Sequence, residues 1–255
     1  MLEEIKIIIL GVIQGITEFL PISSSGHIVL FEHFFNMNKN NIVFEVVLHF
    51  GTLLSILIFF RKDIYSLLRG ILNYDNDSLK YGFYILVGTI PIVIVSLLAK
   101  NVITSIFYIQ ILMYTYIVNA IILFIIKNIN GNKKVVSMKL ALAMGLAQIF
   151  ALLPGISRAG ITICTGLILG YQQREVAKFS FFMAIPALIG AMIFELDSII
   201  NSTNQDFLIL ILGFMSSMIS GLLVLGLLFK ILQTNRLWMF SYYCILIWLL
   251  ILFIL

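Results

Sequence analysis

Long apolar runs separated by short polar joints set the rhythm of this chain. An α-helix needs about 20 residues to cross a bilayer. Six runs are long enough: about 41–60, 82–99, 106–126, 178–196, 207–230 and 237–255. Four others, 4–20, 23–35, 137–153 and 157–171, are too short, and Pro21 and Pro154 join them into adjacent pairs. Proline cannot donate the hydrogen bond that continues a helix, and broken backbone at membrane depth survives only where protein or water shields it. Each pair therefore reads as a re-entrant hairpin, one over about 4–35 and one over about 137–171.

The two halves correspond by position. Gly11 pairs with Gly145, Gln14 with Gln148, Pro21 with Pro154, Ser24 with Ser157, Gly26 with Gly160, Phe44 with Phe179 and Gly51 with Pro186, at separations of 133 to 135 residues. Each half thus holds one hairpin and three spans, residues 1–130 and 131–255, within one membrane domain. Three is odd, so the second copy enters the membrane upside down. The expected fold is an all-α integral membrane protein with an inverted-topology repeat, six transmembrane helices and two re-entrant helical hairpins.

Composition agrees. Of the 255 residues 61% are hydrophobic and 11% charged, with a mean hydropathy of +1.10, against about 25% charged in ordinary soluble domains. The acidic start Met1-Leu2-Glu3-Glu4 lacks the basic region and cleavage site of a secretory signal, so it reads as part of the fold. The formal charge of +4 does not imply nucleic acid, because the basic residues cluster at the ends of apolar runs. With the amino terminus outside, the inner ends hold Arg61, Lys62, Arg69, Lys80, Lys127, Lys133, Lys134, Lys139, Arg174, Lys178, Lys230 and Arg236, and the outside only Lys6, Lys39 and Lys100. That is the bias of the positive-inside rule. The outer stretch around Asp197, Asn201 and Asp206 has no Lys or Arg, and the acceptor pattern Asn201-Ser202-Thr203 carries no weight here. Cys164 and Cys244 lie far apart in apolar runs without metal-ligand spacing and read as buried thiols.

The candidate chemistry sits in the hairpins. Central charges cost about 2.5–3.5 kcal/mol each on insertion scales, so function is the default account of those that remain. Gly11, Gln14, Gly15 and Glu18 share one helix face. The two glycines fit a packing seam, and a full charge at Glu18 exceeds what packing needs. After Pro21, Ser23, Ser24, Ser25 and Gly26 form a capping signal for the second arm, of which capping would use one serine. His27 follows Ser24 by about one helical turn, a spacing that lets an imidazole exchange a proton with a hydroxyl; alone it could be a hydrogen-bonded core residue. The second hairpin offers Pro154-Gly155, then Ser157, Arg158, Gly160 and Thr162. Backbone amides at a helix start and a guanidinium fork both suit phosphate oxygens. An acidic hairpin that could hold a divalent cation, facing a cationic one, makes a place for phosphate or diphosphate. The plain alternative is a buried Glu18–Arg158 ion pair with no ligand. Glu45, His49 and Thr52 share a face of the third element and read equally as support or as packing. Glu32 and His33 read as solvated. Walker-type loops, Cys clusters and His-Glu-x-x-His patterns are absent.

These residues resemble the undecaprenyl-diphosphate phosphatases, also called bacitracin-resistance proteins, over essentially the whole chain. The resemblance rests on Gln14 to Glu18 continuing into Pro21-x-Ser-Ser-x-Gly-His27, and on Pro154-Gly-x-Ser-Arg-x-Gly-x-Thr162. It implies hydrolysis of undecaprenyl diphosphate to undecaprenyl phosphate and inorganic phosphate. It places this multi-pass enzyme in the bacterial plasma membrane with its site open to the outer face, recycling the lipid carrier for peptidoglycan synthesis. It also implies a divalent cation, Mg2+ or Ca2+, served by Glu18 and Gln14. Ser24 and His27 are then the proposed nucleophile and acid/base partner, the alternative being direct attack by water with His27 as base. Arg158, Ser157 and Thr162 hold the diphosphate, with Ser23, Ser25, Gly26 and Gly160 around it. Two departures stand out: Gln14 replaces a frequent glutamate and Ala159 a frequent serine. A lipid flippase or secondary transporter is the competing reading, since inverted repeats with broken helices also suit alternating access. The expected partners are a polyprenyl diphosphate and membrane lipids, with pairing to a second copy left open.

Overall fold

A computed structural model describes residues 2–35, 42–195 and 207–254. Lys39, Asp197, Asn201 to Thr203 and Asp206 lie outside the described residues. The described chain is helical. Helices α1 (Leu2–Phe19) and α2 (Ser24–Phe35) form the first hairpin. Helix α3 (Ile42–Phe59) bends by 75° into α4 (Arg61–Leu72). There follow α5 (Asn76–Leu98), α6 (Lys100–Ser105) and α7 (Ile109–Ile125), the last prolonged by a 3-10 turn to Asn128. The second hairpin is α8 (Met138–Ala147), running on as a 3-10 stretch Gln148–Leu152, and α9 (Arg158–Ile168). The chain closes with α10 (Gln173–Phe194), α11 (Phe207–Leu232) and α12 (Phe240–Ile254).

Among the described residues five helices are long and apolar enough to cross a membrane, or six when the bent α3–α4 pair counts as one span. The chain is a multi-pass membrane protein. Side chains such as Leu86, Leu223 and Phe253 point outward, which suits lipid and not water. Pro21 and Pro154 fall at the helix breaks that the sequence predicts, and two serines outside the predicted capping signal also set boundaries. Ser137 and Ser157 cap α8 and α9 by accepting from Leu140 N (3.3 Å) and Gly160 N (3.1 Å). Two things differ from expectation. Helix α5 starts at Asn76 and not near 82, because the Asp75 side chain accepts from Ser78 N at 3.0 Å and caps it. Helix α4 reads in sequence as a charged loop, yet it carries Tyr65, Leu68 and Leu72 as exposed apolar side chains beside Arg61, Lys62 and Arg69. That pattern suits a helix lying in a membrane interface.

Small residues let the helices meet backbone to backbone. A Cβ at Gly11 would lie 1.9 Å from Ser216 Oγ and one at Gly15 2.0 Å from Ser220 Oγ, so α1 sits directly on α11. A Cβ at Gly145 would lie 2.6 Å from Gly88 O, which seats α8 on α5 in the same way. Ser217 Oγ and Ser55 Oγ donate across the α3–α11 contact to Leu48 O (2.7 Å) and Met218 O (2.8 Å). Phe19, Tyr116, Phe179 and Phe181 are fully buried and fill the centre between the hairpins. Each hairpin tip is thus held on rigid helices, which is what a site at the tips needs.

Candidate active site

Pro21 ends α1, and the chain turns through Ser23 in the left-handed region (φ 68°) before α2 begins. A non-glycine residue there costs about 1–2 kcal/mol. Ser23 is held by what its turn makes available. Its Oγ accepts from Gly155 N (3.1 Å) and Gly26 N (3.3 Å), and its carbonyl accepts from the His27 ring at 2.7 Å. Gly155, at φ 97°, makes the matching turn in the second hairpin. The two tips therefore touch. Ser157 Oγ donates to Leu20 O (3.4 Å), and Asn119 of α7 bridges the tips by donating to Pro21 O (3.0 Å) while accepting from Ser157 N (3.1 Å).

This contact brings the opposite charges together. Arg158 Nη2 donates to Glu18 Oε1 at 3.1 Å, with both side chains almost fully buried, and Arg158 Nη1 reaches Ser180 O of α10 at 3.4 Å. The other carboxylate oxygen, Oε2, accepts from Ser24 Oγ at 2.6 Å and Gln14 Nε2 at 3.2 Å. Glu18, Ser24 and Arg158 border a cavity of about 190 Å3, which Gln14 and Ser180 do not line. Thr17, Glu18, Ser23, Ser24, Ser25, His49, Ser157 and Arg158 form its polar wall, and Ile92, Ile156, Ala187 and Leu188 an apolar one. The space is smaller than the ~300–1,000 Å3 of sites for drug-sized ligands, so it suits a headgroup and not a whole lipid. Helices α2 and α9 both start at this wall, with the positive ends of their dipoles beside it.

The site gathers Glu18, Ser23, Ser24, Ser25, Ser157 and Arg158 from the sequence reading, and leaves other candidates elsewhere. His27 does not meet Ser24. A carbonyl only accepts, so His27 Nδ1 carries the hydrogen for Ser23 O; Tyr116 OH lies 3.0 Å from the same nitrogen. Nε2 pairs with Tyr243 OH of α12 at 2.8 Å, beside a second, apolar cavity lined by Ile13, Ile16, Leu20, Ile22 and Phe240. The left-handed turn at Ser23 is the reason: it sends the Ser24 hydroxyl back toward Glu18 and the imidazole to the other side. Thr162 is buried beneath Arg158. Its Oγ donates to Arg158 O (2.7 Å) and lies 2.7 Å from Ser180 Oγ, so it supports the helix and does not line the cavity. Gly160 N is spent on Ser157 Oγ, and Gly26 packs on Tyr116, whose OH a Cβ would approach to 2.6 Å. Thr52 donates to His49 O, and His33 is exposed.

Asn119, Tyr116, Ser180 and Tyr243 escape the motif reading. Asn119 had a signal, being a polar amide inside an apolar run; the others show their role only through packing. For a divalent cation the donors are Glu18, the Gln14 amide and the serine hydroxyls. Gln14 Oε1 is buried without a hydrogen-bond partner. All are oxygen donors suited to a hard cation that keeps positions for water and phosphate, and no cluster of three or more His, Cys, Asp or Glu side chains occurs among the described residues.

Fold and site together define a multi-pass membrane protein with a small polar cavity, walled by Glu18, Ser24 and Arg158, between two hairpin tips. Residues 7–250 match the family described as bacitracin resistance protein BacA, and the chain belongs to that family. It is similar to the undecaprenyl-diphosphatase of Methanobrevibacter smithii, at 33% identity covering 95% of this chain and 94% of that one. The proteins of the same name from Caldicellulosiruptor bescii (38% identity; 92% and 91% covered) and Methanococcus maripaludis (37%; 94% and 95%) are similar over comparable lengths.

Proposed function

We propose that this protein hydrolyses undecaprenyl diphosphate to undecaprenyl phosphate and inorganic phosphate. It would act at the outer face of a plasma membrane, returning the lipid carrier to cell-wall synthesis and conferring bacitracin resistance. The observation that carries the reading is the meeting of Glu18, Ser24 and Arg158 at one headgroup-sized cavity, each from a different part of the two hairpins. The relatives' shared name supports the substrate. The chain's halves, 1–130 and 131–255, are read as inverted copies, a reading supported by the reciprocal seating of Gly11 on α11 and Gly145 on α5.

The chemistry follows from the contacts. Phosphoryl transfer demands positioning and charge neutralisation above all. Arg158 and the starts of α2 and α9 attract the diphosphate, with Ser25 and Ser157 on the wall. The diphosphate competes with Glu18 for the guanidinium, which frees carboxylate charge to act on Ser24. As Ser24 Oγ bonds to the terminal phosphorus, Glu18 takes the hydroxyl proton. The anhydride P–O bond breaks, its electron pair leaving on the lipid monophosphate. A divalent cation, Mg2+ or Ca2+, would sit on Glu18 and the Gln14 amide oxygen and neutralise diphosphate charge. His27 works from behind, fixing the Ser23 turn through its ring hydrogen bond.

The test is phosphate release from farnesyl diphosphate, a short soluble stand-in, by the purified protein in detergent, with and without a chelator. Release without a sealed compartment, stopped by the chelator and restored by Mg2+ or Ca2+, is expected. A protein that moves lipid across vesicles yet frees no phosphate in detergent would be the transporter instead.

A further inference from the structure

His49 lines the same cavity as Glu18, Ser24 and Arg158, although no motif includes it. Its Nδ1 lies 2.8 Å from the carbonyl of Glu45, one turn earlier on α3. A carbonyl cannot donate, so Nδ1 bears the hydrogen, and in the neutral form of the ring the lone pair is then on Nε2. Among the described residues no hydrogen bond occupies that nitrogen. The other bases near the headgroup are committed. Both Glu18 oxygens already accept, and His27 has both ring nitrogens engaged and borders the other cavity. The charged groups around His49 are Glu45 on its own helix, Glu18 from α1, Arg158 from α9 and, beyond Glu45, Glu195 at the end of α10. Fixed by its own helix and half-buried, the imidazole offers an oriented acceptor to a water in the cavity.

We infer that His49 is the general base for the water that clears Ser24, an inference resting on the phosphatase reading above. In that step the water oxygen forms a bond to the phosphorus carried on Ser24 while the P–Oγ bond breaks. The bond's electron pair stays on Oγ, which recovers the proton that Glu18 took earlier. The proton lost by the water passes to His49 Nε2 and then to solvent, and inorganic phosphate leaves. His49 is thereby the catalytic histidine and His27 a positioning residue, the reverse of what motif membership suggests.

The experiment compares wild type with His49→Ala, His49→Gln and His27→Gln, all purified in detergent and checked for an unchanged helical melt. With farnesyl diphosphate, His49→Ala and His49→Gln are expected to turn over about a hundredfold or more slowly, within the ~10²–10⁴ that a general base contributes. They also accumulate a phosphorylated Ser24 peptide, seen by mass spectrometry after acid quench and absent when Ser24→Ala is added. Added imidazole restores turnover of His49→Ala. His27→Gln slows phosphorylation itself and traps nothing. A His49→Ala enzyme that keeps wild-type turnover, or that slows without phosphate on Ser24, overturns the inference. A wild type that frees no phosphate overturns the phosphatase reading instead.

Discussion

Asn119 offers a quantitative test of how the site is assembled. It is fully buried in α7, does not itself line the cavity, and holds one tip by Pro21 O and the other by Ser157 N. Asn119→Leu keeps approximate volume and removes both bonds together with the donation to Cys244 Sγ (3.3 Å), leaving the Ser157 amide unpaired and Pro21 O with only the weak Cys244 thiol at 4.0 Å. An unpaired buried group costs about 1–3 kcal/mol. Interhelical bonds in membrane bundles average nearer 0.6 kcal/mol, because the unfolded chain in lipid also finds partners. The loss expected is therefore about 1–4 kcal/mol, read as a lowered midpoint in thermal or SDS unfolding. Activity should fall further than stability, since the tips carry Ser24 and Arg158 and a misplacement near 1 Å can cost about a hundredfold in rate. Asn119→Asp keeps the acceptor for Ser157 N and loses the donor to Pro21 O, so it should fall between. An Asn119→Leu protein with wild-type melting and wild-type phosphate release would refute the claim that this amide sets the register of the two hairpins.

Other outcomes follow from packing and charge. Gly15→Ala puts a Cβ 2.4 Å from the Ser217 carbonyl, which a backbone cannot yield, and should cost about 1–3 kcal/mol. Gly190→Ala meets nothing within 4 Å and should leave the melt unchanged or raise it by up to about 1 kcal/mol. Arg158→Met strands Glu18 and should cost about 3–5 kcal/mol, while Glu18→Gln with Arg158→Met should recover most of that stability and none of the activity; thermal melts of the three variants check the sign. Asp63→Asn breaks the exposed pair with Lys178 and should shift the melt by no more than about 1 kcal/mol.

Much of the scaffold was legible because single residues enforce it. Pro21 and Pro154 stand just past the ends of their helical arms, whereas Pro91 and Pro186 lie inside α5 and α10, and Ser157, read as a diphosphate contact, caps α9. The convergence of Glu18 and Arg158 was legible from the opposite charges of the two hairpins, while their direct pairing stood in the sequence only as the alternative to a diphosphate held between them. What spacing could not give is direction. The step from Ser24 to His27 is one helical turn on paper, but a left-handed Ser23 decides that the hydroxyl faces Glu18 and the imidazole faces Tyr243. His49 was visible only as one of three polar residues on α3, because its place in the cavity depends on how α3 packs across α1. Helix α4 was hidden since Tyr65, Leu68 and Leu72 are too few to mark a span and too apolar for a loop.

The central claim is that groups from the two hairpin tips act on one diphosphate. Phosphate release from undecaprenyl diphosphate by the purified protein, compared across wild type, Glu18→Gln, Ser24→Ala and Arg158→Met at equal folded concentration, tests it most directly. The account predicts robust metal-dependent release by wild type and a loss of at least about a hundredfold in each variant, with combined substitutions scarcely worse than single ones because the residues act as a unit. Folded variants that release phosphate as fast as wild type would contradict it.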